Sequence, residues 1–197
     1  MTIYDLKPKF QALLRPIVEA LAKKGVTPNQ VTLAALALSA GAGCAVALAP
    51  AASWALLTIP AVLFVRMALN AIDGMLAREH DMRSDLGAVL NELGDLLSDA
   101  FLYLPFALIP GVPPLWAVLF VMIGILTETA GILAQALGRD RRYDGPMGKS
   151  DRAFLMGLIA LLLGAGVAPG LWSTLLLAAG TLLGVRTVYN RAAGGIA

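Results

Sequence analysis

The chain has 197 residues, 58% of them apolar and 14% charged, with a mean hydropathy of +0.77 and a formal net charge of +2. A soluble domain of this length needs far more polar surface, so the composition points to an all-α integral membrane protein. The small net charge gives no support to nucleic-acid binding, and the single Cys44 excludes an intramolecular disulfide.

Residues 1–24 mix charged and apolar side chains throughout, so no cleavable leader is expected. Within them Leu6, Phe10, Leu13, Leu14, Ile17, Val18 and Leu21 recur at helical spacing, with Lys7, Gln11, Arg15 and Lys23 largely elsewhere. The pattern predicts an amphipathic helix over 1–26, either lying in the membrane interface or packed on the bundle as a lid. Its basic residues suit anionic lipid heads in both cases.

Six apolar stretches follow, over 31–49, 54–71, 86–109, 115–136, 153–167 and 171–189, within one domain spanning 27–191. Most approach the roughly 20 residues that a membrane-crossing helix needs. The fifth is short and would thin the bilayer or borrow flanking residues. Pro50, Gly111-Val112-Pro113-Pro114 and the 166–170 run break the stretches. Residues 192–197 are expected to be a short tail. Lys and Arg gather before the first stretch, between the second and third, between the fourth and fifth, and after the sixth. By the positive-inside rule, six spans result, with both termini and the charged loops in the cytoplasm.

The second and third stretches carry the polar residues that are costly to place in a membrane. With 79–85 as a hairpin and about 1.5 Å of rise per residue, Asp73 pairs in depth with Asn91, Asn70 with Asp95, and Arg66 with Asp99. Each set repeats at three or four positions and so shares a helix face. This makes a polar ladder open to the cytoplasm, with oxygen donors suited to Mg²⁺ or Mn²⁺. Gly74, Ala77 and Gly87 would leave room at its rim for a bulky ligand, or serve tight helix packing. Arg78 is placed for phosphate oxygens. Arg66 is expected to pair with Asp99 or with the embedded Glu128, holding helices together. Pro60 and Pro105 are expected to bend their helices, and Ser39–Gly43 to pack closely on a neighbour.

These residues resemble the signature of the CDP-alcohol phosphotransferase family, Asp-x2-Asp-Gly-x2-Ala-Arg-x8-Gly-x3-Asp-x3-Asp. Asp73, Gly74, Ala77, Arg78, Gly87 and Asp95 match at the full spacing, while Asn70 and Asn91 stand at the first and third Asp positions. A register using Asp95 and Asp99 as the last two acids would require Gly where Asn91 stands. Upstream, Thr27-Pro28-Asn29-Gln30-Val31-Thr32-Leu33 is similar to the motif that opens the family's first span. The resemblance implies transfer of a phosphatidyl or similar phosphoryl group from a CDP-linked lipid, such as CDP-diacylglycerol, to an alcohol, with release of CMP. It implies metal ligation at Asn70, Asp73, Asn91 and Asp95, with Asp95 as general base. It implies a CDP pocket of Asp73, Gly74, Ala77, Arg78, Ser84 and Gly87, and a homodimer in a bacterial-type inner membrane. The two amides remove two negative charges, so one or two ions remain open, and Glu92 and Asp99 are nearby acids that would compensate.

Lys149 and Arg152, and more weakly Arg141, are candidates for a phosphate on the acceptor or for lipid phosphates. As topology-setting charges they have an equally good explanation. Two other functions stay open. One is a silent relative that binds nucleotide or lipid without turnover. The other is a small transporter, weakened by the one-sided charge distribution and the lack of a visible inverted repeat.

Overall fold

The computed structural model describes residues 3–196, with side chains from Pro8 onward. Leu6 and Lys7, expected on the amphipathic helix, therefore lie outside the described side chains, and Met1, Thr2 and Ala197 outside the described residues. The chain is all helical, with no strand among the described residues. Its elements are α1 (Ile3–Lys23), α2 (Pro28–Leu48), α3 (Ser53–Glu79), α4 (Asp85–Tyr103), a 3₁₀ turn (Leu104–Leu108), α5 (Pro114–Ala136), α6 (Lys149–Gly164) and α7 (Leu171–Ile196).

Local chemistry sets several of these boundaries. Gly25, at a φ of 73°, closes α1, and the Val26 amide bonds back to the Leu21 carbonyl at 3.0 Å. At the start of α2, the Thr27 amide donates to Gln30 Oε1 at 3.0 Å and the Gln30 amide to Thr27 Oγ1 at 3.4 Å. This is a capping box with Pro28 in the first turn, where its missing N–H costs nothing. Ser84 caps α4 by accepting from the Gly87 amide at 3.0 Å. Pro105 ends α4 and passes the chain into the 3₁₀ turn, while Pro60 is carried inside a continuous α3. The expected tail is not separate, because α7 continues to Ile196.

Among the described residues, four helices, α2, α3, α5 and α7, are long and apolar enough to cross a membrane. The other two stretches read as spans differ for separate reasons. The α4 helix has 19 residues but carries Asp85, Glu92, Asp95 and Asp99, and α6 has 16 residues.

The residues fall into two compact units. One holds the chain up to Ser39 together with Val62–Ser98; the other holds Ala40–Ala61 together with the chain from Asp99 onward. In the first unit, Leu14 and Val18 of α1 are buried with Val31 of α2 and with Ile72, Met75 and Leu76 of α3. Phe10 and Leu21 pack at the edge of this core, whereas Leu13 and Ile17 are exposed. The apolar stripe of α1 is thus divided. One part docks on α2 and α3, and Leu13 and Ile17 are left exposed. Arg15 adds an exposed ion pair to Glu79 at 3.1 Å.

The second unit is built on α5 and α7. Phe120 of α5 meets Tyr103 edge-to-face at 6.3 Å, and Gly180 of α7 lies where a side chain would strike Phe120 and Leu155. Gly43, from the small-residue run of α2, abuts the backbone of Phe101. That close helix approach is what the run was expected to provide.

Leu14→Ala should cost about 2–5 kcal/mol through the cavity it leaves. Leu13→Ala, at an exposed position on the same helix, should change the thermal midpoint little. Thermal unfolding of the two purified variants in one detergent compares them directly.

Candidate active site

The expected ladder forms between α3 and α4 within the first unit. Asn70 Nδ2 donates to Asp95 Oδ1 at 3.2 Å, so these two meet at one depth as the helical count predicts. Arg66 also reaches Asp95. Its Nη2 lies 3.2 Å from Asp95 Oδ1 and donates to the Asp95 backbone carbonyl at 3.1 Å. Asp95 is thus one partner of Arg66, a contact that the sequence analysis did not name. A guanidinium reaches several ångströms beyond its own Cα and can engage a neighbour off its level. Arg66 is 3% exposed and the Asp95 side chain 22%, so the acid lies at the edge of the bundle with its cation behind it.

Asp73, one turn from Asn70, is buried and accepts from Thr32 Oγ1 at 2.9 Å. Thr32 belongs to the opening motif of α2, and its contact ties that motif to the acid. Asn29 from the same motif faces Gly87: a β-carbon there would lie 2.9 Å from Asn29 Oδ1 and 3.0 Å from Ser84 Oγ. Arg78 is exposed and folds back over Gly74, where a β-carbon would approach its guanidinium nitrogens to 3.0–3.1 Å. Both glycines therefore serve polar side chains at the rim. Ala77, Asn91 and Glu92 are half-buried on the same two helices. The roles of Thr32 and Asn29 were not assigned from sequence, although their motif was visible.

Comparison with known proteins identifies the family. Residues 25–186 match the family model for CDP-alcohol phosphatidyltransferase. The chain belongs to that family. It is 48% identical over 191 residues to the inner membrane protein YnbA of Escherichia coli, covering 97% of this chain and 94% of that one. It is 31% identical over 154 residues to the Escherichia coli inner membrane protein YnjF, covering 76% and 69%. Two crystal structures of phosphatidylinositol phosphate synthase from Mycobacterium tuberculosis share the fold. The one with CDP-DAG bound has a TM-score of 0.75 at 19% identity, covering 89% of each chain. The one with manganese and citrate has a TM-score of 0.76 at 20% identity, covering 91% of this chain and 87% of that one. With its long apolar helices and relatives named as inner membrane proteins, this family member is an integral membrane protein.

The donor set departs from the family signature in a way that bears on metal binding. Among the described residues, no three His, Cys, Asp or Glu side chains gather as a metal site. Asn70, Asp73, Asn91 and Asp95 bring oxygen donors with two carboxylates among them, and Arg66 already lies against one carboxylate. Such oxygen donors fit a hard divalent cation.

The acceptor-side candidates lie in the second unit, where Arg141 and Arg152 meet Glu128, an acid that the sequence analysis had named only as a possible partner of Arg66. Glu128 is 6% exposed and receives three arginines: Arg152 at 3.0 Å, Arg141 at 3.1 Å and Arg191 at 3.3 Å. Arg152 also reaches Asp99 at 3.2 Å and donates to Thr127 Oγ1 at 2.8 Å. Asp99 thus neutralises an α6 arginine. Arg141 additionally lies over the Tyr143 ring at 5.1 Å. Arg152 and Arg191, each 2% exposed, are therefore bundle ties. Lys149 opens α6, whose first turn is held by the Gly148 amide on Asp151 at 2.9 Å.

Removing Glu128 leaves three guanidinium groups without that shared acid. Glu128→Ala should cost about 3–5 kcal/mol, as for other broken buried pairs. Glu128→Gln should lose less, since it keeps a hydrogen-bonding oxygen. Thermal unfolding and yield of folded protein in lipid report both.

Proposed function

We propose that this protein moves a phosphatidyl, or similarly substituted phosphoryl, group from a CDP-linked lipid such as CDP-diacylglycerol to an alcohol, releasing CMP. The observation that carries this reading is the meeting of Asn70 and Asp95 at 3.2 Å, with Asp73 one turn away, on the family's motif spacing.

In this reading, Asp95 accepts the proton of the acceptor hydroxyl as its oxygen attacks the phosphorus that carries the lipid. The bond from that phosphorus to the CMP phosphate oxygen breaks, and CMP leaves. Arg66 and Asn70 hold the carboxylate of Asp95 from behind, which favours one orientation towards substrate. Asp73 is oriented by Thr32. Arg78 meets donor phosphate, with Gly74, Ala77, Ser84 and Gly87 shaping the pocket for the CDP moiety. Asp73, Asp95 and the side-chain oxygens of Asn70 and Asn91 would hold one Mg²⁺ or Mn²⁺, which when bound supplies charge neutralisation for the diphosphate and the departing CMP.

The reading places six helices across a bacterial-type inner membrane, with α4 and α6 completing the set. The site opens to the cytoplasm beside the Lys- and Arg-bearing segments. It includes a homodimer, and a phosphate on the acceptor would be met by Lys149 and Arg141, with Arg152 available only by giving up its acids. The product places the protein in phospholipid biosynthesis.

The Arg66–Asp95 pair and the two amides also favour a second reading, a relative that binds the CDP-lipid without turnover. CMP release by the purified protein in lipid, with CDP-diacylglycerol, Mg²⁺ or Mn²⁺ and a pool of alcohols, separates the two. Metal-dependent release lost in Asp95→Asn is the expected result. Donor binding without release from any alcohol in the pool would favour the second reading. Arg78→Ala should raise the KM for the donor about tenfold or more, as expected for loss of a charge-assisted phosphate contact. An unchanged KM would remove Arg78 from the phosphate site.

A further inference from the structure

Between the last turns of α5 and α7, within the second unit, lies an open crevice of about 200 Å³ with an apolar lining. Ala134 and Gly195 are buried in it and let the helices come close, with a β-carbon on Gly195 only 3.3 Å from that of Ala134. Leu133, Leu137, Ala192 and Ile196 are its exposed walls. Arg191 borders it with its guanidinium committed to Glu128 and to the Thr127 carbonyl. A crevice facing hydrocarbon loses dispersion contacts unless a chain fills it.

Both α5 and α7 are long and apolar enough to cross a membrane, so their last turns mark a polar boundary of the bilayer. There the chain becomes charged. Arg139 is exposed, and its Nη1 donates to the Gly195 carbonyl at 2.8 Å, which fixes a guanidinium beside the crevice. Of the charges around it, Arg142 pairs with Asp144 at 2.7 Å, Arg141 and Arg191 meet Glu128, and Asp140 is exposed next in the chain. An apolar slot with a cation at its polar end suits a phospholipid, with a chain in the slot and the phosphate at the cation. A zwitterionic headgroup would bring its own cation towards Arg139, whereas an anionic one would not. A second copy of this chain, docked here about a two-fold axis, would bring its own Arg139 to the same rim.

We propose that this crevice binds an anionic phospholipid, with an acyl chain along Ala134 and Gly195 and the headgroup phosphate on Arg139. The inference goes beyond the phosphotransfer reading and does not depend on it.

Native mass spectrometry of the full chain in detergent, with equal amounts of phosphatidylglycerol and phosphatidylcholine of matched chains, counts the retained lipids. The unchanged protein should retain phosphatidylglycerol about tenfold over phosphatidylcholine, the scale of one charge-assisted phosphate contact. Arg139→Gln should lose that preference, and Arg139→Lys should keep it. Ala192→Phe, at an exposed wall, should reduce retention of both lipids and leave the thermal midpoint unchanged. Lys23→Gln combined with Lys24→Gln removes exposed charge at the end of α1 and should leave the preference intact. Absence of the preference in the unchanged protein, or its survival in Arg139→Gln, would overturn the proposal. Undiminished lipid retention in Ala192→Phe would do so too. Loss of the preference in the α1 pair would move the lipid to that helix, and loss of a dimer mass in Ala192→Phe would give the crevice to a second copy; either result also overturns it.

Discussion

Ionised groups placed among apolar helices must be neutralised within reach of their own side chains, and this demand organises both units of the chain. In the first, Arg66 answers Asp95 across the α3–α4 pair. In the second, Glu128 gathers arginines from the α5–α6 connection, from α6 and from α7, and so ties three segments to one point on α5. Hydrophobic burial discriminates poorly between helices that are apolar nearly all round, whereas a buried charge has very few acceptable partners. The ion pairs therefore specify which helix faces meet, while small residues such as Gly43 and Gly180 let those faces come close.

The same demand gives the site its chemistry. A carboxylate intended to take a proton must be accessible on one side and fixed on the other. Asp95 has that arrangement, with Arg66 and Asn70 on one side and a side chain that remains partly exposed, which is why it is the proposed proton acceptor. Asp73 is held differently, by a neutral hydroxyl from the start of α2. The two acids have unlike environments although they lie on the same ladder.

The first turn of α2 contributes more than a helix start. Its capping box fixes the backbone at Thr27–Gln30, and that places Asn29 against Gly87 and Thr32 against Asp73. An N-terminal motif remote in sequence from the acids thus sets the orientation of one acid and the shape of the rim. Docking of α1 through Leu14 and Val18 covers the same part of α3 from another side.

Much of this was legible in the sequence. The all-helical class followed from composition, the helix breaks from Pro and Gly, and the family from a motif whose spacing is set by helical periodicity. The pairing of Asn70 with Asp95 followed from counting along two antiparallel helices joined by a short turn. Local rules suffice there because the partners are close in sequence and the helix has a fixed rise. The destinations of the long side chains were not legible. Arg66 was expected at Asp99 or Glu128, and Arg152 either at a phosphate or as a topology-setting charge. The contact of Arg66 with Asp95 was not among these expectations, nor was the convergence of Arg152 and Arg191 on Glu128. A helix count gives the level of a Cα atom, but an arginine spans more than one level and chooses among several acids by how helices from distant parts of the chain are rotated and packed. The sequence by itself determined that acids and amides would sit among apolar helices; the tertiary structure decided which arginines would be buried with them.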